Sequence, residues 1–153
     1  MFSTAKRFAE KMEGKLYFAY GSNMDASQMN ERCPEAKLVG KATLKNYSFL
    51  INERGVASIV PDSEQIVHGL VWTLRENDEV ELDFYESVKT NVYTKEKVTV
   101  IDEETNLEID ALIYIATNNN LGKPYPGYLE RIITGAKEAK FDSEYIAQLS
   151  KWF

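Results

Sequence analysis

Apolar residues recur with two different periods along this chain, and the changes of period divide it into elements. Phe2, Ala5, Phe8, Ala9 and Met12 fall at helical spacing, which predicts a short amphipathic helix ended by Gly14. Residues 15–20 are aromatic and apolar after Lys15, a strand signal that breaks off at Gly21-Ser22-Asn23. Asp25 stands where it can cap a brief helix through Arg32, stopped by Pro34. Between Ala36 and Asn52 the apolar positions Leu38, Val39, Ala42, Leu44, Tyr47, Phe49 and Ile51 alternate imperfectly and predict one or two strands. Residues 57–60 and 66–74 are apolar and β-rich, and the polar stretch 61–65 between them predicts a hairpin loop.

The period then changes. Val80, Leu82, Phe84 and Tyr85 give residues 78–85 an apolar side with acids in the first turn, so a helix capped by Asn77 is expected. Residues 92–101 and 107–117 read as a second hairpin turning at 102–106. Residues 118–127 hold three Asn, two Gly and two Pro and read as a loop. Leu129, Ile132, Ile133 and Ala136 mark a helix to about Lys140. Asp142 or Ser143 starts a last helix carrying Tyr145, Ile146, Leu149 and Trp152. Strands in the middle, helices at the ends and one inserted helix predict an α+β fold: a mostly antiparallel, barrel-like mixed sheet with flanking helices.

Composition narrows the function classes. At 153 residues and 44% hydrophobic content the chain can bury one core, so residues 15–153 are read as a single domain behind an N-terminal helical extension at 1–14. A formal charge of -6 with no basic stripe argues against nucleic acid. The first fifteen residues interleave charges with apolar side chains, which fits neither a signal peptide nor a membrane span. A cytoplasmic location with no membrane partner is therefore expected. Cys33 and His68 are the only residues of their kinds, so no internal disulfide forms and no site of several His or Cys ligands can be built. The sequence calls for neither metal nor cofactor.

Three places can carry chemistry. The turn after the first strand is either a plain glycine-serine turn or a nest of backbone N–H groups for a carboxylate or carbonyl oxygen, with Gly21 letting a ligand approach closely. Ser22 as a nucleophile requires a base, and His68, inside the apolar run 66–72, is the sole imidazole. Cys33 beside Pro34 reads as an inert thiol. Glu86 follows Leu82, Phe84 and Tyr85 at a helix exit. It is either a solvated helix-end charge or a carboxyl whose apolar neighbours raise its pKa toward neutrality. Tyr93, at the start of a strand, is core with a hydroxyl to spare.

Together these segments resemble the γ-glutamylcyclotransferase family, including its γ-glutamylamine and AIG2-like members, from Lys15 onward. The resemblance is carried by YFAYGSNM at 17–24, by ASIVP at 57–61 with VHGLVW at 67–72, by LDFYESV at 82–88 with Tyr93 behind it, and by YLERIITGAKE at 128–138. Where the family often carries glycines after the glutamate and before the tyrosine, this chain has Ser87 and Asn91. The resemblance implies an enzyme that cyclises the γ-glutamyl group of a small γ-glutamyl dipeptide or γ-glutamylamine to 5-oxoproline and releases the amine. It implies Glu86 as general acid and base, with Tyr20, Gly21, Ser22, Asn23, Met24, Tyr93 and Tyr128 holding the substrate. Two other uses fit the same fold: removal of a γ-glutamyl protecting group within a biosynthetic pathway, and a non-catalytic small-ligand or interaction module. A homodimer is among the assemblies the sequence permits.

Overall fold

The computed structural model describes residues 15–153. The helix expected ahead of Gly14 lies outside the described residues. Five strands, β1 (Lys15–Ala19), β2 (Lys37–Ile51), β3 (Ala57–Leu74), β4 (Tyr93–Asp102) and β5 (Glu108–Ala116), close into a barrel in the order β1-β3-β2-β4-β5. All neighbours are antiparallel except β1 and β5, whose parallel contact at Tyr17 and Leu112 closes the ring. Among the described residues four helices flank it: α1 (Ala26–Arg32), α2 (Glu76–Tyr85), α3 (Tyr128–Glu138) and α4 (Ser143–Ser150). The α+β barrel expected from the element order is the fold observed.

Continuous burial of Tyr17, Phe18, Ala19 and Tyr20 is what a strand covered on both faces requires. The largest fully buried side chains, among them Phe18, Ile59, Leu74 and Ile113 from the strands and Leu129, Ile132 and Leu149 from the helices, join barrel and helices in one core. Helix α3 lies directly on the turn that follows β1: a Cβ on Gly135 would come within 2.6 Å of the Met24 backbone. Only glycine permits that approach.

Two expectations need correction. Residues 61–65 do not form a hairpin loop. β3 is continuous from Ala57 to Leu74 and pairs along its length with β2, the true turn lying at residues 52–56. The polar stretch is a bulge between the Tyr47–Pro61 and Lys45–Ile66 pairs, with Asn46 and Glu64 at positive φ, and its side chains face solvent. A solvated bulge and a solvated turn carry the same polar, proline-containing signature. Helix α2 begins at Glu76 rather than beyond Asn77, because the Asp78 carboxylate reaches back to accept the Arg75 N–H at 2.9 Å. Asp25 and Asp142 cap α1 and α4 as expected, accepting from the N–H groups of Ser27 and Tyr145.

After α2 the chain enters a short 3-10 turn, Val88–Thr90, flanked by two left-handed residues: Ser87 at φ 51° and Asn91 at φ 59°. These are the positions where glycine is common in the resembling family, so the backbone path is kept without glycine. Asn tolerates this region; serine does so at a cost of about 1 kcal/mol. Ser87→Gly is accordingly expected to stabilise the protein by about 1 kcal/mol and raise Tm by about 2–4 °C, with Asn91→Gly giving less. Thermal unfolding of the two variants checks this, and a loss of stability in Ser87→Gly would contradict it.

Candidate active site

Glu86 caps the C-terminus of α2, its N–H donating to the Leu82 carbonyl at 2.8 Å. Leu82, fully buried, fixes that helix on the barrel, and removing such a side chain typically costs about 2–5 kcal/mol. The carboxyl projects into a cavity of about 380 Å³ whose walls include the Gly21–Asn23 turn, Tyr17, Tyr20, Tyr93, Tyr114 and Tyr128. Glu86 itself is half-buried. Desolvation by this surrounding pushes its pKa up to about 7, against the opposing pull of the Arg32 guanidinium.

Each tyrosine of the wall is anchored. The Tyr20 hydroxyl donates to the Tyr114 carbonyl at 2.5 Å, and the Tyr93 hydroxyl donates to the Ala57 carbonyl at 2.6 Å. The N–H of the same Ala57 donates to the Tyr128 hydroxyl at 2.9 Å, so the first residue of β3 is clamped between β4 and α3. Tyr17 accepts from the Asn23 amide at 3.0 Å and meets Tyr114 edge-on, ring centroids 5.7 Å apart. Burial pushes all five hydroxyls above the ordinary tyrosine pKa, and the Glu86 charge adds to the rise in every one. They remain protonated at any physiological pH, arranged about one carboxyl.

The Gly21 turn forms the facing wall. Its 3-10 segment Ser22–Met24 is closed by N–H donation from Met24 to Gly21 and from Asp25 to Ser22. Amides at the start of such a turn are left without an internal partner. A Cβ on Gly21 would stand 3.3 Å from the Ala57 Cβ and 3.4 Å from the Tyr128 hydroxyl, so the turn abuts both. The Gln28 side-chain amide donates to Ser22 Oγ at 2.7 Å and to Asn23 Oδ1 at 3.0 Å, while Arg32 donates to the same Oδ1 at 3.1 Å and covers the Tyr85 ring at 4.6 Å.

Of the residues expected at the site, Glu86, Tyr20, Gly21, Ser22, Asn23, Tyr93 and Tyr128 line this one cavity. Met24 does not. It is buried at 1% exposure with its backbone beneath Gly135, which makes it a packing residue of the turn. Ser22 has no imidazole within reach, since His68 lies over Tyr145 at 4.4 Å beside a different cavity. Cys33 is fully buried and its thiol is pushed up to about 12 by desolvation, as befits an inert thiol. Arg32, Arg54, Tyr17, Tyr114 and Tyr125 also line the cavity and were not singled out as site residues from sequence. Gln28 and Arg32 carried a usable signal, being one helical turn apart on the helix that follows the turn. Tyr114 carried none, because it reaches Tyr17 only through barrel closure.

Comparison with known proteins agrees with this geometry. A model described as the AIG2-like family matches residues 66–149. Mouse gamma-glutamylcyclotransferase is 33% identical over 144 residues, covering 88% of this chain and 76% of the mouse protein. The human protein of the same name is 31% identical over 90% of this chain and 78% of its own length. A solved structure of a gamma-glutamyl cyclotransferase superposes with a TM-score of 0.85 at 30% identity, covering 92% of this chain and 88% of that one. A closed five-strand barrel whose sequence tracks these proteins over nine-tenths of its length makes the chain a member of the AIG2-like, γ-glutamylcyclotransferase family.

Proposed function

We propose that this protein cyclises the γ-glutamyl group of a small γ-glutamyl amino acid or γ-glutamylamine to 5-oxoproline, with Glu86 moving the proton. The observation that supports this most is a single desolvated carboxyl, poised near neutrality, facing a turn of backbone amides across one small cavity. In this reading the glutamyl moiety lies between Glu86 and the Gly21–Asn23 turn. The Glu86 carboxylate takes a proton from the substrate's α-ammonium group. The freed nitrogen attacks the γ-carbonyl carbon of the same molecule and closes a five-membered ring.

Nucleophile and electrophile share one molecule, so confinement in the cavity supplies much of the rate by holding the chain in its ring-closing shape. Charge that builds on the γ-oxygen is met by turn amides and by the hydroxyls of Tyr17 and Tyr128, which accept in the bonds they make and keep their protons to donate. Glu86, now protonated, delivers its proton to the departing nitrogen. The C–N bond breaks, and Glu86 takes the second proton from the ring nitrogen and passes it to the freed amine, which leaves as its ammonium with the carboxylate restored. A pKa near 7 suits both halves of that exchange, since the group must accept and then release within one turnover.

Two results are expected. Incubated with a panel of γ-glutamyl amino acids and γ-glutamylamines, the wild type releases 5-oxoproline, and Glu86→Gln lowers kcat/KM by about two to four orders of magnitude. On the acid side, wild-type kcat/KM falls tenfold per pH unit below about 7, where an ordinary glutamate would hold its rate down to 4.5. No turnover across the panel, or full activity in the glutamine variant, would overturn the proposal.

A third expectation concerns stability. A carboxyl whose folded pKa is raised binds its proton more tightly folded than unfolded, so stability falls as pH rises from the unfolded pKa near 4.5 to the folded value near 7. Glu86→Gln removes that penalty. Its stability gain over wild type is therefore expected to be near zero at pH 4 and on the order of 2 kcal/mol at pH 8, measured by urea unfolding. Equal gains at the two pH values would contradict the desolvated carboxyl.

A further inference from the structure

Two guanidinium groups line the cavity, and different parts of the fold hold them. Arg32, on α1, is committed: it donates to Asn23, covers Tyr85 and is the cation whose charge reaches Glu86. Arg54 sits in the β2–β3 turn, where it is exposed to solvent and lines the cavity together with Val56 and Tyr125. Among the described residues it makes no salt bridge. The nearest acid in sequence, Glu53, is taken up by the side-chain amides of Asn118 and Asn120 at 3.2 and 3.3 Å.

The turn that presents Arg54 is braced. Asn52 is fully buried, and its Oδ1 accepts the Arg54 N–H at 3.0 Å while its amide donates to the Asn118 carbonyl at 2.9 Å. The Glu53 N–H donates to the Asn120 carbonyl, and the Tyr125 N–H donates to that of Gly55 at 3.2 Å. The loop over residues 118–125 and the β2–β3 turn are thus stitched together, and this braced backbone carries the Arg54 guanidinium. An exposed cation that lines a cavity from a braced turn, with no ion-pair partner among the described residues, is arranged to meet an anion that arrives with the ligand.

Charge matching identifies that anion. A γ-glutamyl amino acid brings two carboxylates and one ammonium; a γ-glutamylamine brings one of each. The glutamyl end, identical in both, is served by the Gly21 turn, Arg32 and Glu86. The group that differs leaves from the γ-carbon toward the opening. We propose that Arg54 is a specificity-determining residue that pairs with a carboxylate on the departing amine, so that the protein prefers γ-glutamyl amino acids to γ-glutamylamines. The proposal rests on the cyclisation reading above and adds the selection to it.

The test uses two substrates that differ only in that carboxylate, γ-glutamylalanine and γ-glutamylethylamine, with wild type, Arg54→Gln and Arg54→Lys. Wild type is expected to favour γ-glutamylalanine by about tenfold in kcat/KM, the scale of one partly solvated charge-assisted hydrogen bond. Arg54→Gln should lose that factor on γ-glutamylalanine and leave γ-glutamylethylamine unchanged, and Arg54→Lys should recover part of it. The Arg54 side chain makes no hydrogen bond among the described residues, so both variants should fold, and unchanged Tm values check this. Equal wild-type rates on the two substrates, or an equal loss on both in Arg54→Gln, would overturn the selection while leaving cyclisation standing. Turnover of neither substrate would overturn both.

Discussion

A carboxyl group held where water reaches it poorly, with one guanidinium to compensate, is the constraint around which this barrel is organised. Glu86 stays there because α2 cannot move: Leu82 is sunk in the core, and Asp83 accepts the Tyr114 hydroxyl at 2.6 Å while pairing with Lys95 at 2.8 Å. Lys95 continues to Glu79, and Glu79 to Lys15, at 2.8 and 2.9 Å. Burial alone would raise Glu79, yet its two lysines hold it below the usual carboxylate range. The helix therefore pins Glu79 and Asp83 with lysines and leaves Glu86 at its end under-compensated. The contrast between Glu79 and Glu86 lies in partners more than in position on the chain.

The tyrosines complete the same logic. Tyr20, Tyr93 and Tyr114 donate to the Tyr114 carbonyl on β5, the Ala57 carbonyl on β3 and the Asp83 carboxylate on α2. Tyr17 and Tyr128 accept from the Asn23 amide in the Gly21 turn and the Ala57 N–H, so each ring is held in place around Glu86. A rigid polar wall of this kind stabilises charge where it develops without reorganising at that moment. Ala57 is the joint on which this depends most, because its N–H and carbonyl engage Tyr128 and Tyr93 at once.

Much of this was legible before any coordinates, and the reasons are local. The Asp25 and Asp142 caps, the aromatic and apolar β1 and the hairpin of β4 and β5 are each dictated by neighbours in sequence, and all appear where expected. Glu86 stood out through its apolar neighbours and its motif. What sequence hid was non-local or chemically ambiguous. Tyr114 joins Tyr17 only because β1 and β5 close the barrel, and Arg54 reaches the cavity only because Asn52 ties its turn to a distant loop. The polar run at 61–65 has the composition of a turn and the structure of a bulge. Met24 belonged to the right motif but is buried in the core, since a 3-10 turn with three residues per turn spreads successive side chains around its axis and cannot aim all of them at the cavity. Ser87 lacked the glycine that would have announced a left-handed residue.

The central claim, that folding alone tunes this carboxyl, is tested most directly by titrating it. In protein labelled with carboxyl-carbon-13 glutamate, the resonance absent from Glu86→Gln is that of Glu86, and its chemical shift followed against pH gives the midpoint without substrate. Desolvation as described predicts a midpoint near 7. A midpoint near 4.5, that of a solvated glutamate, would contradict it.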